Sequence, residues 1–86
     1  MSLQSIETIS ERVIGLISTR HDTPKSTISL DSQFVADLGF DSLDVVEFSM
    51  NVEEEFGISM TDEVVESIVS VRDAVEAIQE LVSKSS

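Results

Sequence analysis

Eighty-six residues with 17 Asp+Glu against 5 Lys+Arg and one His give a net charge of −12, too short for two domains and of the wrong sign for nucleic acid or an anionic membrane. The 41% apolar content with 3 Gly and 1 Pro suffices for a packed core, while the lack of Cys excludes disulfides, thiolate metal sites and a cysteine nucleophile. No apolar run reaches the roughly 18 residues of a membrane span and no basic-then-apolar leader opens the chain, so a soluble protein of the cytoplasm or an organelle matrix, without membrane insertion, is expected.

Ile6, Ile9, Val13, Leu16 and Ile17 recur at steps of three and four, which predicts a first helix over Leu3 to Thr19 despite Gly15 inside it. The following stretch, Arg20 to Phe40, holds His21, Asp22, Pro24 and Gly39 with scattered apolar residues. A loop of that length is functional or pinned by its own side chains, and Phe34 and Leu38, spaced as in one helical turn, are the expected anchors. From Asp41 to Phe56 the helical pattern returns, with Val45, Phe48, Val52 and Phe56 on one stripe and Gly57 as its stop. Thr61 followed by Asp62 and Glu63 reads as an N-cap with acids in the first turn, opening a short third helix to Ser67. Ser70-Val71-Arg72-Asp73 has the form of a capping box. Behind it Val71, Ala74, Val75, Ile78, Leu81 and Val82 supply the face of a last helix closing near Val82, with Ser83 to Ser86 as a polar tail. The expected fold is therefore all-α, a four-helix bundle with a short third helix and a long loop between helices 1 and 2, in one domain whose core spans residues 3–82.

The charge is concentrated. Between Lys25 and Arg72 no basic residue occurs, while Asp31, Asp37, Asp41, Asp44, Glu47, Glu53, Glu54, Glu55, Asp62, Glu63 and Glu66 all fall there, unopposed in the sequence. A solvated face accounts for such a run in most proteins. The second helix carries more than that: Leu43, Val46 and Met50 lie about 100–160° from Val45 at 100° per residue, away from the core stripe. They are flanked by Glu47, Glu53 and Glu54, and an apolar strip edged with carboxylates suits a basic partner, steered by the acids and seated on the strip. Burial of the helix on two sides is the competing reading.

The segment Asp37-Leu38-Gly39-Phe40-Asp41-Ser42-Leu43-Asp44 stands where the loop meets the second helix. Ser42 at a helix start has free backbone N–H groups and the positive dipole end beside it, a setting that stabilises a phosphate ester. Taken alone, Asp41 or Ser42 would be an ordinary N-cap. The run from Phe34 to Glu47, followed by Glu53-Glu54-Glu55-Phe56-Gly57-Ile58, resembles the acyl carrier proteins of dissociated fatty-acid and polyketide synthesis. Further likeness lies in Glu11-Arg12-Val13, Asp62-Glu63 and Val71 to Ile78, so that it covers nearly the whole chain.

The resemblance implies that Ser42 carries covalent 4′-phosphopantetheine, attached from coenzyme A by a phosphopantetheinyl transferase, with Asp41 as cap and recognition contact. The arm would bring the sulfur that a chain without Cys lacks, and its thiol would hold acyl intermediates as thioesters. It implies a monomeric carrier rather than an enzyme, with no catalytic residue and no bound metal of its own. Acyltransferases and ketosynthases would dock basic patches on Asp41, Asp44, Glu47, Glu53 and Glu54, with Leu43, Val46 and Met50 as the apolar part of that face. Phe48, Val52, Ile68 and Val71 would line an acyl pocket, with core packing the equal alternative. Phe40, where that family commonly has a small residue, and Thr61, where it commonly has Pro, leave primary fatty-acid synthesis and a dedicated polyketide or special-lipid pathway both open; Phe40 beside the attachment site is expected to influence docking or the lie of the arm.

Three other classes fit less well. A peptidyl carrier would resemble this chain but with Gly-Gly-x-Ser where Phe40-Asp41-Ser42 stands. A calcium module needs an Asp-x-Asp-x-Asp-Gly loop that is absent, and an enzyme would have to act through the lone His21. An interaction protein with an unmodified serine is the remaining rival.

Overall fold

The computed structural model describes residues 6–85, and side chains within that range except those of Ile6, His21 and Ser85. Among the described residues four helices form in the expected order: α1 (Ile6–His21), α2 (Ser42–Phe56), α3 (Asp62–Ser67) and α4 (Val71–Ser85), with one 3-10 turn, Lys25–Thr27, in the long loop after α1. The expected start of the first helix at Leu3 lies outside the described residues. α1 packs against α4 and α2, and α3 rests on α2.

The core is built from the stripes that the periodicity marks. Ile9, Val13 and Ile17 from α1, Phe48 and Val52 from α2, and Val71, Ala74, Val75 and Ile78 from α4 are all buried. Each follows steps of three or four, so each set faces one direction and removes its apolar surface from water together.

Helix ends depart from expectation in three places. α1 runs two residues beyond Thr19 and stops at Asp22, whose φ of 53° is left-handed, while Thr23 N–H donates to the Ser18 carbonyl at 3.2 Å. That closure normally falls to Gly, and Asp is among the few other residues that tolerate it. At the other end of the chain the polar residues Ser83, Lys84 and Ser85 continue α4 past Val82 instead of forming a tail. Having no apolar period they gave no helical signal, yet a cation in the last turn suits the helix dipole. α2 begins at Ser42 with Asp41 as its cap, and ends as expected at Gly57, φ 67° and ψ 40°.

The long loop is pinned more thoroughly than two anchors would allow. Phe34, Phe40 and Phe48 meet pairwise with ring centroids 5.1, 5.2 and 6.0 Å apart. The expected turn at Phe34 to Leu38 forms, with Asp37 and Leu38 both donating to the Gln33 carbonyl, although Leu38 is only half-buried. Phe40, expected to influence docking or the lie of the arm, is itself 2% exposed: it is a core residue that underlies the start of α2.

Four of the acids unopposed in the sequence face arginines in space. Asp31 meets Arg72, Glu55 meets Arg12, and Asp44 and Glu47 meet Arg20. Arg12 also lies 4.9 Å over the Phe56 ring, a favourable cation–π placement. The Arg12–Glu55 and Arg72–Asp31 partners lie more than forty positions apart along the chain, which is why charge runs alone do not reveal them.

Candidate functional site

Ser42 is exposed at the first helical position of α2. Asp41 precedes it in extended conformation and closes a reciprocal capping box: Asp44 N–H donates to Asp41 Oδ1 at 2.9 Å, and Asp41 N–H donates to Asp44 Oδ2 at 3.1 Å. Two backbone donors are thereby satisfied, while those of Ser42 and Leu43, in the first turn, have no intrahelical acceptor. The serine hydroxyl is thus held at the positive end of a helix whose start cannot fray easily. Phe40, immediately before the cap, anchors this start in the core, its N–H donating to the Phe34 carbonyl at 2.8 Å.

Beside Ser42 opens a groove of about 380 Å³ between α2, α3 and the end of the long loop, lined by Val35, Ser42, Val45, Val46, Val65, Glu66 and Ile68. Its walls are mainly aliphatic, with Ser42 and Glu66 as the polar members of the lining. A phosphodiester on the exposed hydroxyl with an apolar chain directed into the groove fits this arrangement: an anion at a helix start and methylenes against valines.

Of the acyl-pocket residues expected from the sequence, only Ile68 borders this groove. Phe48, Val52 and Val71 are 3%, 0% and 0% exposed and pack in the core. Val35, Val45 and Val65 were missed as lining; Val45 belonged to the expected core stripe, and only its half-buried position shows its second contact. The missed signal for Val35 was its place in the loop directly after an anchoring Phe.

The outward strip of α2 is where the helical wheel puts it. Leu43, Val46 and Met50 are 61%, 48% and 57% exposed, so burial on two sides does not occur in this chain. Val35 and Val69, also exposed, extend the apolar surface beyond α2. The acids around it have different duties. Glu54 is exposed; Asp44 and Glu47 are half-buried beside Arg20. Glu53 is half-buried as well, and its Oε2 accepts from Met60 N–H at 2.7 Å, bracing the α2–α3 connection. Ser49 is buried below the strip and donates to the Val46 carbonyl at 2.6 Å, a satisfied polar group invisible in the periodicity.

Comparison with known proteins agrees with this geometry. The family described as "Phosphopantetheine attachment site" matches residues 11–78. The chain is 43% identical over 70 residues to an acyl carrier protein of Helicobacter acinonychis (strain Sheeba), covering 81% of this chain and 90% of that one. It is 38% identical over 78 residues to an acyl carrier protein of Rickettsia bellii (strain RML369-C), covering 91% of each. The family's cofactor is phosphopantetheine, and its members carry rather than catalyse. The chain belongs to the acyl carrier protein family.

Proposed function

We propose that this chain, acting as a single-domain monomer, carries 4′-phosphopantetheine on Ser42 Oγ and presents acyl groups as thioesters to the enzymes of fatty-acid, polyketide or special-lipid synthesis. The observation that supports it best is an exposed serine at the first position of a capped helix, opening directly on an aliphatic groove. In loading by a phosphopantetheinyl transferase, Ser42 Oγ attacks the β-phosphorus of coenzyme A. The Oγ–P bond forms as the bond to adenosine 3′,5′-bisphosphate breaks, and the hydroxyl proton passes to a base of the transferase. Once attached, the group supplies the thiol missing from a chain without Cys.

The chain's own residues position and present. Asp41 and Asp44 hold the helix start that aims Ser42 outward. Val35, Val45, Val46, Val65 and Ile68 shelter the apolar part of a cargo; Phe48, Val52 and Val71 join them only where a longer cargo opens the core. Leu43, Val46 and Met50 seat partners, and Asp44, Glu47 and Glu54 draw in the basic patches of acyltransferases and ketosynthases, with Glu53 contributing less because it is engaged with Met60.

Intact mass tests the attachment. Co-expression with a broad-specificity phosphopantetheinyl transferase is expected to add one phosphopantetheine to the parent and none to Ser42→Ala; an unmodified parent, or a modified Ser42→Ala, overturns the assignment. Docking is tested by Glu47→Gln and Met50→Ala, each expected to slow loading several-fold with an unchanged melting temperature. Early melting of both variants, or loading at the parental rate, would remove the outward face of α2 from the docking surface.

A further inference from the structure

Three arginines reach across the fold to acids on other segments, and they do so at different heights. Arg12 meets Glu55 at the last turn of α2, and Arg72 meets Asp31 in the long loop. Arg20, in the last turn of α1, instead comes to the Ser42 end of α2. Its Nη2 contacts Glu47 Oε1 and stands 3.8 Å from Asp44 Oδ1. Asp44 and Glu47, three positions apart, share one side of the helix. The other oxygen of Asp44 accepts from Asp41 N–H in the capping box, so a single carboxylate links the cap of Ser42's helix to the guanidinium.

The pair is unevenly exposed. The side chains of Arg20 and Asp44 are 25% and 24% accessible, that of Glu47 44%. A cation arriving from solvent therefore reaches Glu47 first, on the side that Arg20 leaves open. Arg20 Nε, meanwhile, is out of contact with solvent and makes no hydrogen bond. An unsatisfied buried donor is unfavourable, so the pairing with Asp44 and Glu47 leaves part of the hydrogen-bonding capacity of this guanidinium unused.

We propose that Arg20 is an internal competitor for the docking acids, occupying Asp44 and Glu47 until a basic side chain of a partner takes over Glu47. The proposal rests on the reading of α2 as the docking helix. A carboxylate already paired presents a weaker field to an incoming cation, and part of the attraction is given up when the first partner is displaced. Partners that place Lys or Arg over Glu47 are thereby attenuated, whereas those that engage Glu54 and the Leu43/Met50 strip are not. Arg20 then selects among enzymes by where their basic residues stand.

A double-mutant cycle decides it, with the probe being a broad-specificity phosphopantetheinyl transferase acting on the apo chain with coenzyme A below saturation and at low salt. Arg20→Gln is expected to raise kcat/KM by about two- to fivefold, the worth of a partly exposed ion pair, and Glu47→Gln is expected to lower it by a larger factor in the Arg20→Gln background than in the parent. Equal losses from Glu47→Gln in both backgrounds overturn the competition and leave the docking reading intact. No loss in either background overturns the docking reading and the competition with it. Arg20→Met, which keeps the apolar stem without the charge, is read in parallel, with melting temperatures of both variants; a fall in kcat/KM for a variant that melts like the parent also overturns the proposal.

Discussion

The two longer helices that follow the loop start in similar ways and end up in opposite conditions. α4 opens with a capping box, Asp73 N–H donating to Ser70 Oγ and Ser70 N–H to Asp73 Oδ2, and the long loop supplies the rest: Val71 N–H donates to the Ser32 carbonyl and Arg72 N–H to that of Leu30, both at 2.9 Å. With Ala74 N–H on the Ser70 carbonyl, the donors of the whole first turn are satisfied by the chain, and Val71 is fully buried. α2 opens with a capping box too, but among the described residues none accepts from the N–H groups of Ser42 and Leu43, and both residues are exposed. One helix start is closed by its own fold; the other is stabilised only as far as its cap requires and left open to a ligand. Helix starts of equal sequence quality thus differ in how far their backbone donors are covered, through what the neighbouring loop does with them.

Breaking the support common to both starts has the largest effect. Phe40 packs on Phe34, whose N–H donates to the Val69 carbonyl next to α4, and Phe40 itself leads into the cap of α2. Phe40→Ala is expected to lose about 3–5 kcal/mol in urea unfolding, the range for a buried Phe. A loss below about 1 kcal/mol would mean that the two starts are held independently. Next come the caps themselves. Ser70→Ala should lose between about 1 and 2 kcal/mol, and Asp41→Ala between about 0.5 and 1, because water can replace the cap at the exposed end. Equal losses would erase the contrast.

The smallest effect is one of pH. Backbone N–H donation from Ser70 and Val69 holds the Asp73 carboxyl below the usual carboxylate range. A carboxylate whose folded pKa is depressed stabilises the fold fully above its unfolded value of about 3.9 and loses that contribution as pH falls through the folded value. The melting temperature of Asp73→Asn should therefore lie below that of the parent at neutral pH and approach it under stronger acid. A gap that stays constant down the titration would place the effect of Asp73 in packing rather than in charge.

Much of this was legible in the chain. Stripes such as Val45/Phe48/Val52 and Val71/Ala74/Val75/Ile78 specify a helix and its inner face together, and the capping boxes and Gly57 mark the ends. The outward strip on α2 was legible for the same reason, since periodicity says what faces away as well as what faces in; Ser42, by itself an ordinary cap position, stood out only through the family resemblance of the run around it. The loop was not legible. Phe40 has no periodic neighbour to declare its direction, and Val35 faces the groove because of a turn set by hydrogen bonds to the Gln33 carbonyl. The pairing of Arg20 with Asp44 and Glu47 depends on how α1 lies against α2, and so does the difference between an acid facing solvent and one already occupied.

The aromatic cluster under the start of α2 has a consequence for any arm proposed on Ser42. A tethered group reaches its target with an effective concentration fixed by tether length and by the wandering of its attachment point. Phe34, Phe40 and Phe48 pack together beneath the serine and tie the proposed attachment point to the same core as the outward strip of α2. A partner docked on that strip as proposed would meet the arm from one origin, so that arm length becomes the main determinant of the volume its thiol searches.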